Sequence, residues 1–307
     1  MDRPNALSLA VTAARDALPL VRRTIRGVRS AADDLATSAL GPDFEERLRR
    51  VNIASASHGV DPFGLDPAWA KYAVATASFF YRFYFRAESF DAARVPSGRV
   101  LLVSNHSGQL PFDGMMIGAS LFLECDPPRI MRSMVEKWTQ TLPFVSTTYA
   151  RLGQVVGVPE NARRLLDQGE AILVFPEGTK GISKSFAERY KLADFGLGFL
   201  RLALETRTPI VPIAVVGAEE QYISLGNLPR VAKLFRMPSF PLVPQFVIPG
   251  MQMPLPVKYR IYYGEPILFE GDPDDDDAVI AEKVARVKGE ISRMIERGLG
   301  ERKGMFF

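Results

Sequence analysis

Two short stretches of the chain carry residue types that can do chemistry. The first runs Val103-Ser-Asn-His-Ser-Gly-Gln-Leu-Pro-Phe-Asp113 and contains His106 and Asp113. An imidazole titrating near neutral pH can take the proton of an alcohol as its oxygen attacks a carbonyl. A carboxylate on the other ring nitrogen fixes the tautomer and stabilises the imidazolium that forms. His106 is therefore the candidate general base and Asp113 its candidate partner. Each also has a plainer reading, His106 as a buried structural histidine and Asp113 as the N-cap of a helix that begins at Gly114-Met115-Met116.

The second stretch is Phe175-Pro-Glu-Gly-Thr-Lys180. Its glycine lets backbone approach closely, its threonine and amides donate hydrogen bonds, and its lysine supplies a point charge. Glu177, Gly178, Thr179 and Lys180 are thus candidates for holding a polar or phosphorylated head group. Lys184, Arg189 and Lys191 follow and extend the basic patch. The plainer reading is a solvated loop in which Glu177 pairs with a lysine.

Both stretches must be held by regular elements. From about Arg99, short apolar runs alternate with helical periodicity, which predicts strands at Arg99 to Ser104, Arg129 to Met134, Ala171 to Phe175, Ile210 to Val215 and Lys258 to Tyr263. Helices are predicted at Asp113 to Leu123, Glu160 to Gln168, Leu197 to Glu205 and Ala278 to about Arg297. The acidic cluster Asp272 to Asp277 suits the start of that last helix. Such alternation implies an α/β fold with a mostly parallel sheet flanked by helices on both faces. In that architecture sites form beyond the carboxyl ends of strands, where His106 and Glu177 both fall.

These paired blocks resemble the first and third blocks of the lysophospholipid and glycerol-phosphate acyltransferase (PlsC-like) family, whose third block reads Phe-Pro-Glu-Gly-Thr-Arg-Ser. Val211-Pro-Ile-Ala-Val215 is similar to the fourth block. Leu152-Gly-Gln-Val-Val-Gly157 stands at the second, without the arginine that phosphate-using members carry; Arg151 and Arg163 flank it as substitutes. The family's first block leaves four residues between histidine and aspartate, whereas six intervene here, Ser107 through Phe112. A His-Ser-Gly…Leu-Pro…Asp-Gly form is similar to the monoacylglycerol and diacylglycerol acyltransferase-like branch.

The resemblance covers roughly Phe83 to Pro266. It implies an O-acyltransferase with acyl-CoA or acyl carrier protein as co-substrate and donor, no metal and no bound cofactor. The acceptor it implies is a lysophospholipid such as lysophosphatidate, or a mono- or diacylglycerol. His106 and Asp113 would be catalytic, and Glu177, Gly178, Thr179 and Lys180 would bind substrate. Two rivals stand beside this reading. A lipid or thioester hydrolase needs a nucleophile, yet no Gly-x-Ser-x-Gly elbow is present and the lone Cys125 lies between Glu124 and Asp126. A non-catalytic membrane-binding relative would not need His106 or the Glu-Gly-Thr-Lys loop.

Composition narrows the partners. With 307 residues and 47% hydrophobic side chains the chain can bury a substantial core, so disorder is not its dominant state. A net charge of +3, with the positives dispersed, makes nucleic acid a poor partner and leaves an anionic membrane surface a fair one. One cysteine and two histidines, His58 and His106, leave little room for a disulfide or zinc.

Residues 1–88 read as a helical, membrane-associating region and 89–307 as the catalytic α/β domain. Leu7, Val11, Ala14, Leu18, Val21, Ile25 and Val28 form the stripe of an amphipathic helix kinked near Pro19, suited either to lipid or to another helix. After Asp66-Pro67, a second helix sets Trp69, Tyr72, Ala73, Thr76, Phe79, Phe80 and Phe83 on one face and Lys71, Ser78, Arg82 and Arg86 on the other. The aromatic face suits either a lipid interface or the cover of the catalytic core. Arg15, Arg22 and Arg23 interrupt any secretory signal, which places the chain on the cytoplasmic side. The charge-free run Met237 to Val257 is long enough to span a bilayer, but its six prolines forbid a continuous helix, so no transmembrane span is predicted. That stiff run should pack on the domain or dip into lipid, with packing preferred.

Overall fold

A computed structural model of the protein describes residues 27, 43–51, 59–106, 110–137, 144–234, 240–248 and 251–307. The chain divides into two compact units, Met1–Glu45 and Glu46–Phe307, and the sheet and both motif loops belong to the second. The amphipathic stripe from Leu7 to Val28 and His58 lie outside the described residues.

Among the described residues seven strands form one sheet in the order β1-β7-β6-β2-β5-β3-β4. They are β1 (Glu88–Phe90), β2 (Val100–Ser104), β3 (Met131–Val135), β4 (Val155–Val156), β5 (Ala171–Val174), β6 (Ile210–Val216) and β7 (Arg260–Tyr263). The five strands from β6 to β4 pair in parallel, while β7 lies antiparallel to β6 and carries β1 parallel to itself. The mostly parallel sheet expected from the alternating pattern is what forms. The two strands missed by the sequence reading, β1 and β4, are short edge pieces of three and two residues, too brief to show a period.

The central strands are apolar on both sides because helices cover both faces. Val100 and Leu102 of β2 join a core with α1 (Pro67–Phe79) and α2 (Phe112–Glu124). Leu101 and Val103 point the other way, into a core with α3 (Pro159–Asp167), α4 (Gly198–Thr206) and α5 (Asp277–Glu301). Helix α5 presents Ile280, Val284, Val287, Ile291 and Ile295 at steps of three and four, all buried. Its Gly298 has a steric cause, since a Cβ there would come 2.7 Å from the Tyr262 ring. Pro212 sits inside β6 without breaking it: its carbonyl accepts from Gly264 N at 2.9 Å, where the β7 ladder ends, so its missing N–H falls beyond the last paired residue.

Helix α1 starts where expected, with the Asp66 carboxylate accepting from Ala68 N at 2.9 Å and Pro67 in the first turn. The side it buries is the small-residue side, Ala70, Ala77 and Ser78, continued by Tyr81 in the π-helical turn Phe80–Tyr84. This corrects the assignment of Ser78 to a polar outer face. Trp69, Phe79 and Phe83 of the aromatic face stay exposed, while Phe80 packs partly on the core. The proline-rich run packs on the domain in part: Val243 and Val257 are buried, whereas Leu242, Phe246, Val247, Ile248, Met251 and Met253 are exposed. Among the described residues no helix is long and apolar enough to cross a membrane.

Candidate active site

The site begins where β2 stops. Asn105 is fully buried, and its side-chain amide both accepts from Val215 N (2.8 Å) and donates to Val215 O (3.1 Å). The amide thus stands in for one more strand residue and ties the end of β2 to β6. The next residue, His106, lies with its ring flat against the Phe175 ring, centroids 4.0 Å apart and planes 15° apart. Its Nδ1 is 2.7 Å from Asp113 Oδ2.

Asp113 lies in the first turn of α2 and is completely enclosed. Its other oxygen accepts from Gly114 N at 2.7 Å. The N-cap position belongs to Pro111, so the N-cap reading of Asp113 does not hold. The longer turn between His106 and Asp113 still brings ring and carboxylate together, because the first turn of α2 carries the carboxylate under the imidazole. Nε2 is the ring nitrogen that the carboxylate leaves alone, and 17% of the histidine side chain is open to solvent.

The loop after β5 is built differently. Gly178 adopts φ 55° and ψ −142°, a conformation that a side chain resists. Gly181, in the following short helix Thr179–Ile182, touches the histidine: a Cβ there would come 2.8 Å from His106 Cβ and 3.0 Å from Glu177 Cβ. Glu177 faces inward. One oxygen accepts from His106 N (2.9 Å), and the other accepts from Ala193 N (2.7 Å) and from Lys184 Nζ (3.3 Å). Lys184 also donates to Glu219 (3.1 Å), whose second oxygen accepts from Tyr190 N (2.9 Å). Burial pushes the Glu219 carboxyl up to about 7, against the pull of Lys184 in the other direction.

These positions change the sequence expectation for the basic patch. Lys184 is enclosed between two carboxylates and cannot meet a head group, and Arg189 lies over the Phe186 ring beside Glu220. Both proposed substitutes for the second-block arginine have partners of their own. Arg163 pairs with Glu205 at 2.7 Å, and Arg151 rests over Trp69, 5.1 Å from the ring centroid. Lys180 is exposed and Thr179 half-buried. An acidic group borders the loop, since a Cβ on Gly178 would lie 3.7 Å from Glu136 Oε1.

Asn105, the Phe175 ring, Gly181 and Glu219 are site residues that sequence reasoning missed. Asn105 and Gly181 had a signal, adjacency to His106 and a second glycine closing the loop. Glu219 had none, because only the fold brings the end of β6 to the loop after β5. Cys125 is buried, its Sγ donates to Ala92 O, and burial pushes the thiol up to about 11. Among the described residues no group of three or more His, Cys, Asp or Glu side chains could hold a metal ion.

Comparison with known proteins places these observations in a family. A family model described as acyltransferase matches residues 86–216, the span from β1 to the end of β6. An uncharacterized protein of Mycobacterium tuberculosis is 36% identical over 294 residues, covering 92% of this chain and 80% of its own length. One of Mycobacterium leprae is 38% identical over 261 residues, covering 82% and 71%. The mouse DGAT1/2-independent enzyme synthesizing storage lipids is 23% identical over 205 residues, covering 66% of this chain and 58% of its own. The crystal structure of the 1-acyl-sn-glycerophosphate acyltransferase PlsC from Thermotoga maritima aligns with a TM-score of 0.49 and 17% identity, over 76% of this chain and 83% of that one.

Proposed function

Starting from a chain that belongs to the acyltransferase family, we propose that it moves a fatty acyl group from an acyl-CoA or acyl carrier protein thioester to the hydroxyl of a mono- or diacylglycerol, with His106 as general base. The observation that carries this reading is the His106–Asp113 pair, 2.7 Å apart at the open end of β2. With Nδ1 held by the carboxylate, Nε2 takes the acceptor's hydroxyl proton as the oxygen attacks the thioester carbonyl. The carbon–sulfur bond then breaks, and the thiolate leaves with the proton that the imidazolium returns. No covalent acyl-enzyme is required.

Support for a neutral acceptor comes from the charges around the site. Arg151, Arg163 and Lys184 are engaged elsewhere, Glu136 borders the glycine loop, and Lys180 is the exposed cation of that loop. At that loop a phosphate would meet the exposed Lys180 and a nearby carboxylate, a weak site by comparison with a bidentate arginine. The mouse relative, an enzyme synthesizing storage lipids, points the same way. The hydrolase alternative finds no support in Cys125, whose buried thiol is far from a thiolate at neutral pH.

The test is transfer from radiolabelled palmitoyl-CoA in mixed micelles, with monoacylglycerol and lysophosphatidate offered side by side to wild type and His106→Ala. Diacylglycerol is the expected product, and the variant should lose about 10²- to 10⁴-fold in kcat, the share general-base catalysis supplies. Full activity in a folded His106→Ala protein would overturn the mechanism. Product from lysophosphatidate alone would overturn the acceptor, and acyl release with no dependence on an alcohol would make the protein a hydrolase.

A further inference from the structure

Beside the Leu110–Phe112 stretch that follows His106, a set of apolar side chains stays exposed among the described residues. Phe83, Val247 and Met253 are 54%, 76% and 51% exposed, and Phe79, Leu110 and Ile248 are exposed as well. They come from distant parts of the sequence, yet the structure joins them into one rim. Phe79 packs on Phe83 with centroids 5.7 Å apart and on Phe80 at 5.8 Å, and Phe80 meets Phe112, two residues beyond Leu110. The Tyr84 hydroxyl donates to the Pro254 carbonyl, which secures the stretch bearing Met253 beside the end of α1. Tyr222 completes the circuit: its hydroxyl donates to Gln252 O at 3.0 Å and its ring packs on Phe246 at 5.0 Å, beside Val247. Gln221 reaches back to the Leu110 carbonyl, 3.4 Å away and four residues from His106.

The segment that carries much of this rim has charges of one sign. From Gln221 to Val257 the sequence contains no Asp or Glu but contains Arg230, Lys233 and Arg236. Arg230 and Lys233 are exposed, as is Arg82 between the two outward phenylalanines. Soluble monomers rarely leave a broad apolar patch uncovered. Aromatic and aliphatic side chains bordered by cations match the acyl boundary of a bilayer below a layer of anionic head groups.

We infer that this rim is a docking surface for an anionic phospholipid bilayer, set so that the docked protein presents His106 to the lipid phase. The inference rests on the proposed reading only in its choice of a lipid acceptor; the rim itself binds without turnover. Docking would carry the Val247–Ile248 tip and Phe83 into the acyl boundary, while Arg82, Arg230 and Lys233 meet phosphate groups.

Cosedimentation of the full chain with vesicles tests this, using phosphatidylcholine with and without phosphatidylglycerol. Wild type should sediment with the anionic vesicles, less with the neutral ones, and less in high salt. The double variant Val247→Glu/Ile248→Glu should bind about tenfold more weakly or worse, since two carboxylates would have to enter the apolar boundary. Leu268→Glu, exposed beyond the opposite end of the sheet, should bind like wild type. Equal binding by the double variant, with melting unchanged, overturns the inference. So does self-association in solution that the double variant abolishes while wild type ignores vesicles, because the rim then seats a second copy of the chain. Turnover of detergent-dispersed monoacylglycerol separates the two readings. A double variant active in micelles but slow on vesicles supports the docking surface, whereas vesicle binding by a wild type without turnover leaves docking intact and overturns the acyltransferase substrate.

Discussion

The loops that follow β2 and β5 reach the same place and use their side chains in opposite ways. After β2, the histidine ring is partly open and its partner Asp113 is sealed beneath it. After β5, the carboxylate of Glu177 is the sealed group, and its three bonds go to His106 N, Ala193 N and Lys184. In the proposed mechanism the first loop supplies the reacting atom. The other fixes the backbone from which that atom projects, through a bond to the amide and the Phe175 ring laid against the imidazole. A polar residue in a motif can thus act on substrate or on the frame, and only burial tells the two apart.

Asp113→Asn strikes this comparison where its effect is largest. The amide is nearly isosteric, so the fold should persist, but it no longer demands a proton on Nδ1 and cannot stabilise the imidazolium. A loss of about 10²- to 10³-fold in kcat is expected, within the range seen when an orienting carboxylate is neutralised. Near-normal kcat in a folded variant would mean that the 2.7 Å contact is structural and that the first loop resembles the second.

Glu177→Gln addresses the other loop. An amide has one acceptor oxygen where the carboxylate has two, so at least one of the three bonds must fail and an NH₂ must turn toward a donor. The cost should be about 1–3 kcal/mol of stability from the unsatisfied partner, read as a lower melting temperature. With the His106 backbone loosened, kcat should fall about tenfold while KM for the acceptor stays level, because misplacement of a reacting group is felt in the rate. A raised KM with unchanged kcat would instead put Glu177 in contact with substrate.

Much of this division could be read in the sequence, though not which side chain did what. The two blocks are visible from their residue types and family resemblance, and the strands before them and the helices between them follow from apolar periodicity. Such signals are local, so β2, β5, β6 and α5 emerge within a few residues of their bounds. The inward turn of Glu177 was hidden because it depends on Ala193 and Lys184 arriving from a chain segment with no regular pattern. The clustering of Lys184, Arg189 and Lys191 looked like a phosphate site for the same reason: charge is visible in sequence, whereas Glu219 and Glu220 waiting beyond β6 are not. Helix α1 misled differently. Its aromatic stripe and its small-residue stripe are both periodic, and the fold buries the small one because α2 approaches closely there.

Lys180→Met removes the exposed cation of the second loop and is a gentler test. Its effect should fall on the acceptor's KM, a few-fold at most for a neutral glyceride, since an exposed charge contributes little in water. A rise much larger than that, confined to lysophosphatidate, would show that the loop's open side does recognise phosphate and would return the acceptor to the phosphorylated class.

The finest test lies in Glu219, which shares Lys184 with Glu177 and touches no reacting group. Burial raises its carboxyl from an ordinary value of 4.5 to about 7, so between those limits the folded protein retains a proton that the unfolded chain has released. Stability from this group is complete below the lower limit and is lost as the pH rises through the upper one. Glu219→Gln stays neutral and keeps an oxygen for Tyr190 N, so it escapes that loss. Its melting temperature should gain on wild type as the buffer moves from about pH 5 to about pH 8, with kcat nearly unchanged at each pH. A difference that stays flat would mean that Lys184 holds Glu219 ionised throughout. Lys184 would then be committed to two charged partners, and its hold on Glu177, and through it on the His106 backbone, would be insensitive to pH.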